Sequence, residues 1–161
     1  MIKVGDKVPS VKLKHMTKEG IKDITTDEMF KGKKVVLFGL PGAFTPTCSA
    51  KHLPGFVQSS EEIRGKGIDN IVCLSVNDAF VMDAWGKNQS VGEKVLMVAD
   101  GNADFAKAVG LEMDGSGYGM GTRIRRFSML VEDGTVKQLN VEKPGAFEVS
   151  NAETMLKQIG A

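Results

Sequence analysis

Cysteine is scarce in this chain: Cys48 and Cys73 are the only two among 161 residues. Two thiols cannot staple a fold together, so each is either buried filler or chemistry. Long apolar runs are also missing. None approaches the roughly 20 residues that a membrane helix needs, so no membrane partner is expected. Charge of one sign is not in excess, with 21 Lys plus Arg against 20 Asp plus Glu and no basic cluster. That argues against nucleic acid, which asks for a concentrated positive field. The opening residues Met1-Ile2-Lys3-Val4-Gly5-Asp6 contain no apolar stretch of the signal-peptide kind, and the expected address is the cytoplasm. No repeat, low-complexity tract or long linker interrupts the sequence. The two histidines and two cysteines stand at no metal-ligand spacing. With 42% apolar and 25% charged residues, one globular domain over residues 1–161 is expected.

What is present is an alternation of strand and helix signals. Val35-Val36-Leu37-Phe38-Gly39-Leu40 is a continuous apolar run, as in a central strand covered on both faces. A helix is predicted over 46–64, kinked at Pro54-Gly55. Residues 71–76 and 95–99 read as further buried strands, with helices over 79–87 and 103–109. This order requires crossovers, hence a largely parallel arrangement of these strands. Residues 127–132 and 135–141 then flank Asp133-Gly134, a strong hairpin signal. A last helix over 152–159 starts at Ser150 or Asn151, both good caps. The pattern predicts a thioredoxin-like α/β fold, a mixed sheet flanked by helices with a C-terminal hairpin and closing helix.

The stretch richest in chemistry is Pro41-Gly42-Ala43-Phe44-Thr45-Pro46-Thr47-Cys48, at the carboxyl end of the first buried strand. Open α/β sheets place their ligand crevices at such ends. Thr45 suits a helix cap and Pro46 the first helical position. Cys48 then lies in the first turn, where unpaired N–H groups and the helix dipole favour a thiolate nucleophile. The competing reading of Cys48 is a buried small hydrophobe, and Thr45 could be no more than a cap. Considered alone, Arg126 reads as a solvated strand-end charge, as do Arg123 and Arg125.

Pro41, Thr45 and Cys48 reproduce the peroxiredoxin spacing, a proline four residues before a threonine and the threonine three before a cysteine. The string Leu37 to Cys48 resembles the type II (peroxiredoxin-five) subfamily, as do His52-Leu53-Pro54-Gly55-Phe56, Cys73 to Phe80, and Arg125-Arg126-Phe127-Ser128. The resemblance runs from Lys3 to the C-terminus. It implies a peroxidase that reduces hydrogen peroxide and small alkyl hydroperoxides through a sulfenic acid at Cys48. It gives Thr45 a hydrogen bond to peroxide and thiolate, Pro41 a shielding role, and Arg126 the fixed charge beside the O–O bond. It further implies no metal, haem or flavin, a homodimer, and reduction by glutaredoxin with glutathione or by thioredoxin. Some animal members carry a resolving cysteine near the C-terminus, but the stretch Pro144 to Ser150 has none. Cys73, within an apolar strand, is expected to be buried and dispensable.

His52, four residues after Cys48, either pairs with it or serves as a surface or supporting histidine. The glycine-rich run 115–121 lacks dinucleotide spacing and reads as a mobile loop leading to Arg126. Trp85 and Phe44 are core or dimer-contact aromatics. A thiol–disulfide oxidoreductase of the same fold would need a second cysteine three residues from Cys48, where Thr45 and Lys51 stand instead. A non-catalytic binding module of this fold would need no activated thiol.

Overall fold

The computed structural model describes residues 1–160. A hairpin of β1 (Lys12–Thr17) and β2 (Gly20–Thr25) precedes α1 (Thr26–Phe30) and the central strand β3 (Lys34–Gly39). The next helical segment starts at Pro46 and is π-helical over Cys48–His52. It continues as α2 (Leu53–Gln58) and α3 (Ser60–Gly65). There follow β4 (Asn70–Ser75), α4 (Ala79–Asn88), β5 (Leu96–Ala99) and α5 (Asp104–Val109). The short strands β6 (Glu112–Asp114) and β7 (Thr122–Ile124) lead to the hairpin β8 (Phe127–Glu132) and β9 (Thr135–Val141), and α6 (Ala152–Ile159) closes the chain.

Seven strands form one sheet in the order β2-β1-β5-β4-β3-β8-β9. The predicted crossovers make β3–β4 and β4–β5 parallel, whereas the hairpins and β8 join antiparallel, so the sheet is mixed. Alternation along β3 sorts its side chains onto two cores. Val35 and Leu37 pack on one face with Phe30 and Phe105, while Val36 and Phe38 pack on the other with Leu53, Phe56 and Trp85. A strand sealed on both faces has no use for polar residues, which is why its sequence reads as an unbroken apolar run. The Asp133-Gly134 turn is left-handed at both residues, φ +48° and +79°, as a two-residue hairpin of this twist requires.

Two local predictions shift. The helix after Pro46 breaks at Ser59, not at Pro54-Gly55. Pro54 has no N–H for the carbonyl four residues back, and the chain meets this with the wider π turn ahead of it, where Leu53 N–H bonds the Cys48 carbonyl. The glycine-rich run 115–121 is no loose loop. It caps the β6–β7 hairpin, closed by Gly115 N–H to the Gly121 carbonyl at 2.6 Å and Met120 N–H to the Gly115 carbonyl at 3.0 Å.

Candidate active site

The loop from the end of β3 to Pro46 is tied down at both ends. Leu40 N–H donates to the Leu74 carbonyl and Ala43 N–H to Asn77 Oδ1, 3.0 Å, at the carboxyl ends of neighbouring strands. Thr45 precedes the first helical turn, as its sequence position predicts, and its carbonyl accepts from Ser49 N–H at 2.9 Å. Its hydroxyl does not cap the turn. It donates back to the Gly42 carbonyl at 2.6 Å and makes no hydrogen bond to Cys48 among the described residues. With that proton committed, Thr45 Oγ1 has only lone pairs left to offer.

Cys48 is fully buried, against the core residues of α2 and β3. The thiol is interior, as a buried small hydrophobe would be, yet it faces a charged donor. Arg126 Nη2 lies 3.2 Å from Cys48 Sγ, across 78 residues of sequence. Arg126 leaves the β7–β8 junction beside Gly39, whose partner across the ladder is Phe127. It is half-buried, not the solvated strand-end charge that its own sequence context suggests. No carboxylate forms a salt bridge with it among the described residues.

His52 supplies the second contact of Arg126. It is wholly buried, and its Nδ1 lies 2.9 Å from Arg126 Nη1 while its Nε2 lies 3.0 Å from the Ser150 carbonyl. A guanidinium can only donate, so Nδ1 is the unprotonated nitrogen and Nε2 carries the proton. Burial, and after it the Arg126 charge, lower the His52 pKa to about 3, so the ring is neutral. His52 is thus neither a surface residue nor a partner of the thiol; it braces the arginine. Phe147 packs its ring against His52, 5.1 Å between centroids, with the Arg126 guanidinium 5.7 Å from that same ring.

The two neighbouring arginines are also engaged, against their reading as solvated charges. Arg123 donates to the Pro41 carbonyl at 3.2 Å and to Met120 at 3.0 Å, and Arg125 to the Glu142 carbonyl at 3.0 Å. Pro41 itself is half-buried and lines, with Thr47, Met113, Tyr118 and Arg126, a groove of about 360 Å³. Cys73 lies in β4 opposite Phe38, buried, and burial drives its thiol well above the ordinary value. Both cysteines are free. Trp85 is a core residue whose indole N–H donates to Ser49 Oγ, whereas Phe44 is 53% exposed. Among the described residues no cluster of three His, Cys, Asp or Glu side chains could hold a metal.

The site assembles a thiol, a fixed guanidinium and a hydroxyl acceptor at the carboxyl end of β3. The sequence profile of the Redoxin family matches residues 3–156. The chain is 46% identical to Peroxiredoxin-2B of Arabidopsis thaliana over 159 residues, covering 98% of each protein. It is 48% identical to chloroplastic Peroxiredoxin-2E of the same plant, covering 98% of this chain and 69% of that one. Among solved structures, reduced Prx3 of Vibrio vulnificus in complex with hydrogen peroxide superposes with a TM-score of 0.96. The two are 52% identical, with 99% of each chain covered.

Proposed function

The chain belongs to the type II peroxiredoxins of the redoxin family, thiol peroxidases that reduce peroxides, and from that premise we propose that Cys48 is its peroxidatic nucleophile, served by Arg126, Thr45 and Pro41. The observation that carries this assignment is the 3.2 Å approach of Arg126 Nη2 to a buried Sγ, with no carboxylate among the described residues to neutralise the guanidinium. An anionic sulfur is then its natural counter-charge. The thiolate attacks one peroxide oxygen; the S–O bond forms as the O–O bond breaks. Cys48 becomes a sulfenic acid, and the leaving alkoxide or hydroxide takes up a proton as alcohol or water. Charge moves from sulfur to the departing oxygen within reach of the same guanidinium, so stabilisation follows the charge. Thr45 Oγ1 accepts the peroxide O–H, and Pro41 keeps water from the pocket.

The sulfenic acid condenses with an external thiol to a mixed disulfide and water, and a second thiol releases Cys48. Glutathione with glutaredoxin, or thioredoxin, fills that role in this reading, supported by the burial of Cys73 and the lack of cysteine over 144–150. We place the enzyme in the cytoplasm, a compartment whose thiol pool keeps cysteines reduced, and as a homodimer. The test is steady-state peroxide consumption with the glutathione, glutaredoxin and thioredoxin systems side by side, for wild type and Cys48→Ser. Cys48→Ser is expected to stay folded by circular dichroism and to lose turnover with every reductant. A folded, active Cys48→Ser protein would overturn the assignment.

A further inference from the structure

Arg126 is braced by His52, and His52 by the Ser150 carbonyl, but nothing in that chain yet explains why the carbonyl stays in place. Ser150 ends the largely exposed connection 143–149 between β9 and α6, an irregular segment with few internal hydrogen bonds. At its start stands Glu142, only 3% exposed. Glu142 Oε2 accepts from Val149 N–H at 2.8 Å, Ser150 N–H at 2.7 Å and Ser150 Oγ at 2.7 Å, and both carboxylate oxygens accept from Glu148 N–H. Burial pushes this carboxyl up, but these donors more than reverse the effect and hold it below the ordinary value. A buried carboxylate is tolerated only when so satisfied. The same residue is fixed to the site through its backbone: Glu142 N–H donates to the Arg126 carbonyl at 3.0 Å, and its own carbonyl accepts from Arg125.

The contacts close a circuit running from Cys48 Sγ to the Arg126 guanidinium, His52, the Ser150 carbonyl and the Glu142 carboxylate, then back to the Arg126 main chain. Phe147 sits inside the loop that Glu142 gathers, edge-on to His52 and with the Arg126 guanidinium over its ring. We propose that Glu142 is a positioning residue for peroxide reduction, folding the 143–150 loop onto His52 so that His52 keeps the tautomer that holds Arg126 on Cys48. Without the carboxylate, the Ser150 carbonyl is no longer fixed opposite Nε2. The imidazole proton can then move to Nδ1, where it faces an Arg126 N–H, and the guanidinium is released from the sulfur. Glu142 borders the groove that Pro41 and Arg126 line, but its carboxylate is taken up by the loop donors and makes no hydrogen bond to the thiol among the described residues, so it acts through this relay.

The inference rests on the peroxidase reading, and its test separates the two. Glu142→Ala, Glu142→Gln and Val136→Ala, a core truncation in β9 away from the site, are compared with wild type. The readouts are thermal stability, the pH profile of Cys48 alkylation by iodoacetamide, and the rate of sulfenic acid formation. Glu142→Ala is expected to move the alkylation profile to higher pH and to slow sulfenic acid formation about tenfold, the scale on which supporting partners act. Glu142→Gln keeps one oxygen for the Ser150 donors, so it should move both readouts the same way by a smaller factor. Val136→Ala should lower the melting temperature and move neither. If Glu142→Ala folds and both readouts match wild type, Glu142 is only a structural brace and the proposal falls. If Glu142→Ala does not fold, Glu142→Gln decides on the same two readouts. Absence of sulfenic acid in wild type would instead overturn the peroxidase reading, while the alkylation profiles still judge Glu142.

Discussion

Arg126 is an arginine half out of water whose hydrogen-bond partners are a neutral imidazole and a sulfur. Its expected kinetic signature follows from that setting. Arg126→Ala should slow sulfenic acid formation by on the order of 100-fold, as loss of a preorganised donor does, with little change in folding. Arg126→Lys should recover little, since one ammonium cannot span both His52 and Cys48. Stopped-flow kinetics would check this against Lys137→Ala, an exposed charge on β9. A similar loss at Lys137, or none at Arg126, would remove the arginine from the mechanism. Arg123 cannot serve as that control because it holds the Pro41 carbonyl. His52 carries a prediction about acid. Its pKa is about 3 in the folded protein against about 6.5 unfolded. The unfolded chain therefore binds a proton that the native one refuses, and stability present above about pH 6.5 is lost as pH falls towards 3, by up to about 1.4 kcal/mol per pH unit. Urea unfolding at pH 7, 5.5 and 4.5 should show a shallower loss in His52→Gln; parallel slopes would mean that His52 is not neutral in the folded state. The sequence could mark Cys48, Thr45 and Pro41, which lie within eight residues of one another. It could not reveal what His52 does, because its partners lie 74 and 98 residues away and a lone histidine carries no spacing signal.

Among elements, the strands sealed on both faces and the hairpin marked by Asp133-Gly134 were legible, whereas the first hairpin and the shortest strands were not. β3 and β4 announce themselves by unbroken apolar runs, whereas β1 buries only Leu13 fully and interleaves it with Lys12, Lys14 and His15. β6 and β7 are three residues each, too short for any period to register. Yet β7 carries Arg123 and opens directly onto Arg125 and Arg126, so a strand invisible in the sequence aims the charge. What locks that aim is the β3–β8 register, in which Gly39 faces Phe127, the residue after Arg126. A Cβ on Gly39 would run into the Phe127 ring. Gly39→Ala should therefore cost about 1–3 kcal/mol, as overpacking of a tight core does, and should slow peroxide reduction by displacing the start of β8. Urea denaturation and single-turnover kinetics read the two effects. An alanine variant as stable and as fast as wild type would show that Phe127 moves freely and that β8 register does not set the position of Arg126.

On the scale of the whole molecule, the sheet divides two cores and gathers the chemistry at the carboxyl ends of its central strands, leaving two phenylalanines exposed. Phe80, in the first turn of α4, is 67% exposed, and Phe44 is 53% exposed. They belong to one end of the molecule, because Ala43 N–H donates to Asn77 Oδ1 and so joins the loop of Phe44 to the loop that starts α4. Phe44 also has φ +64°, a left-handed backbone that a bulky residue adopts at a cost of about 1–3 kcal/mol. A strained backbone that leaves half of an aromatic ring in water, with one tilted contact to Trp85 at 6.4 Å, gains little in the isolated chain. Buried against a second copy, each such ring contributes about 1.5–3 kcal/mol, enough to offset the strain. The expected homodimer should therefore form through this face, with Phe44 and Phe80 near its centre. Phe80→Lys places a charge there and should shift the protein towards monomer in sedimentation velocity at micromolar concentration, with its circular dichroism unchanged. Lys22→Ala, on the edge strand β2, should leave the wild-type distribution as it is. If wild type sediments as a monomer at every concentration, or if Phe80→Lys dimerises as tightly as wild type, this face is not the interface.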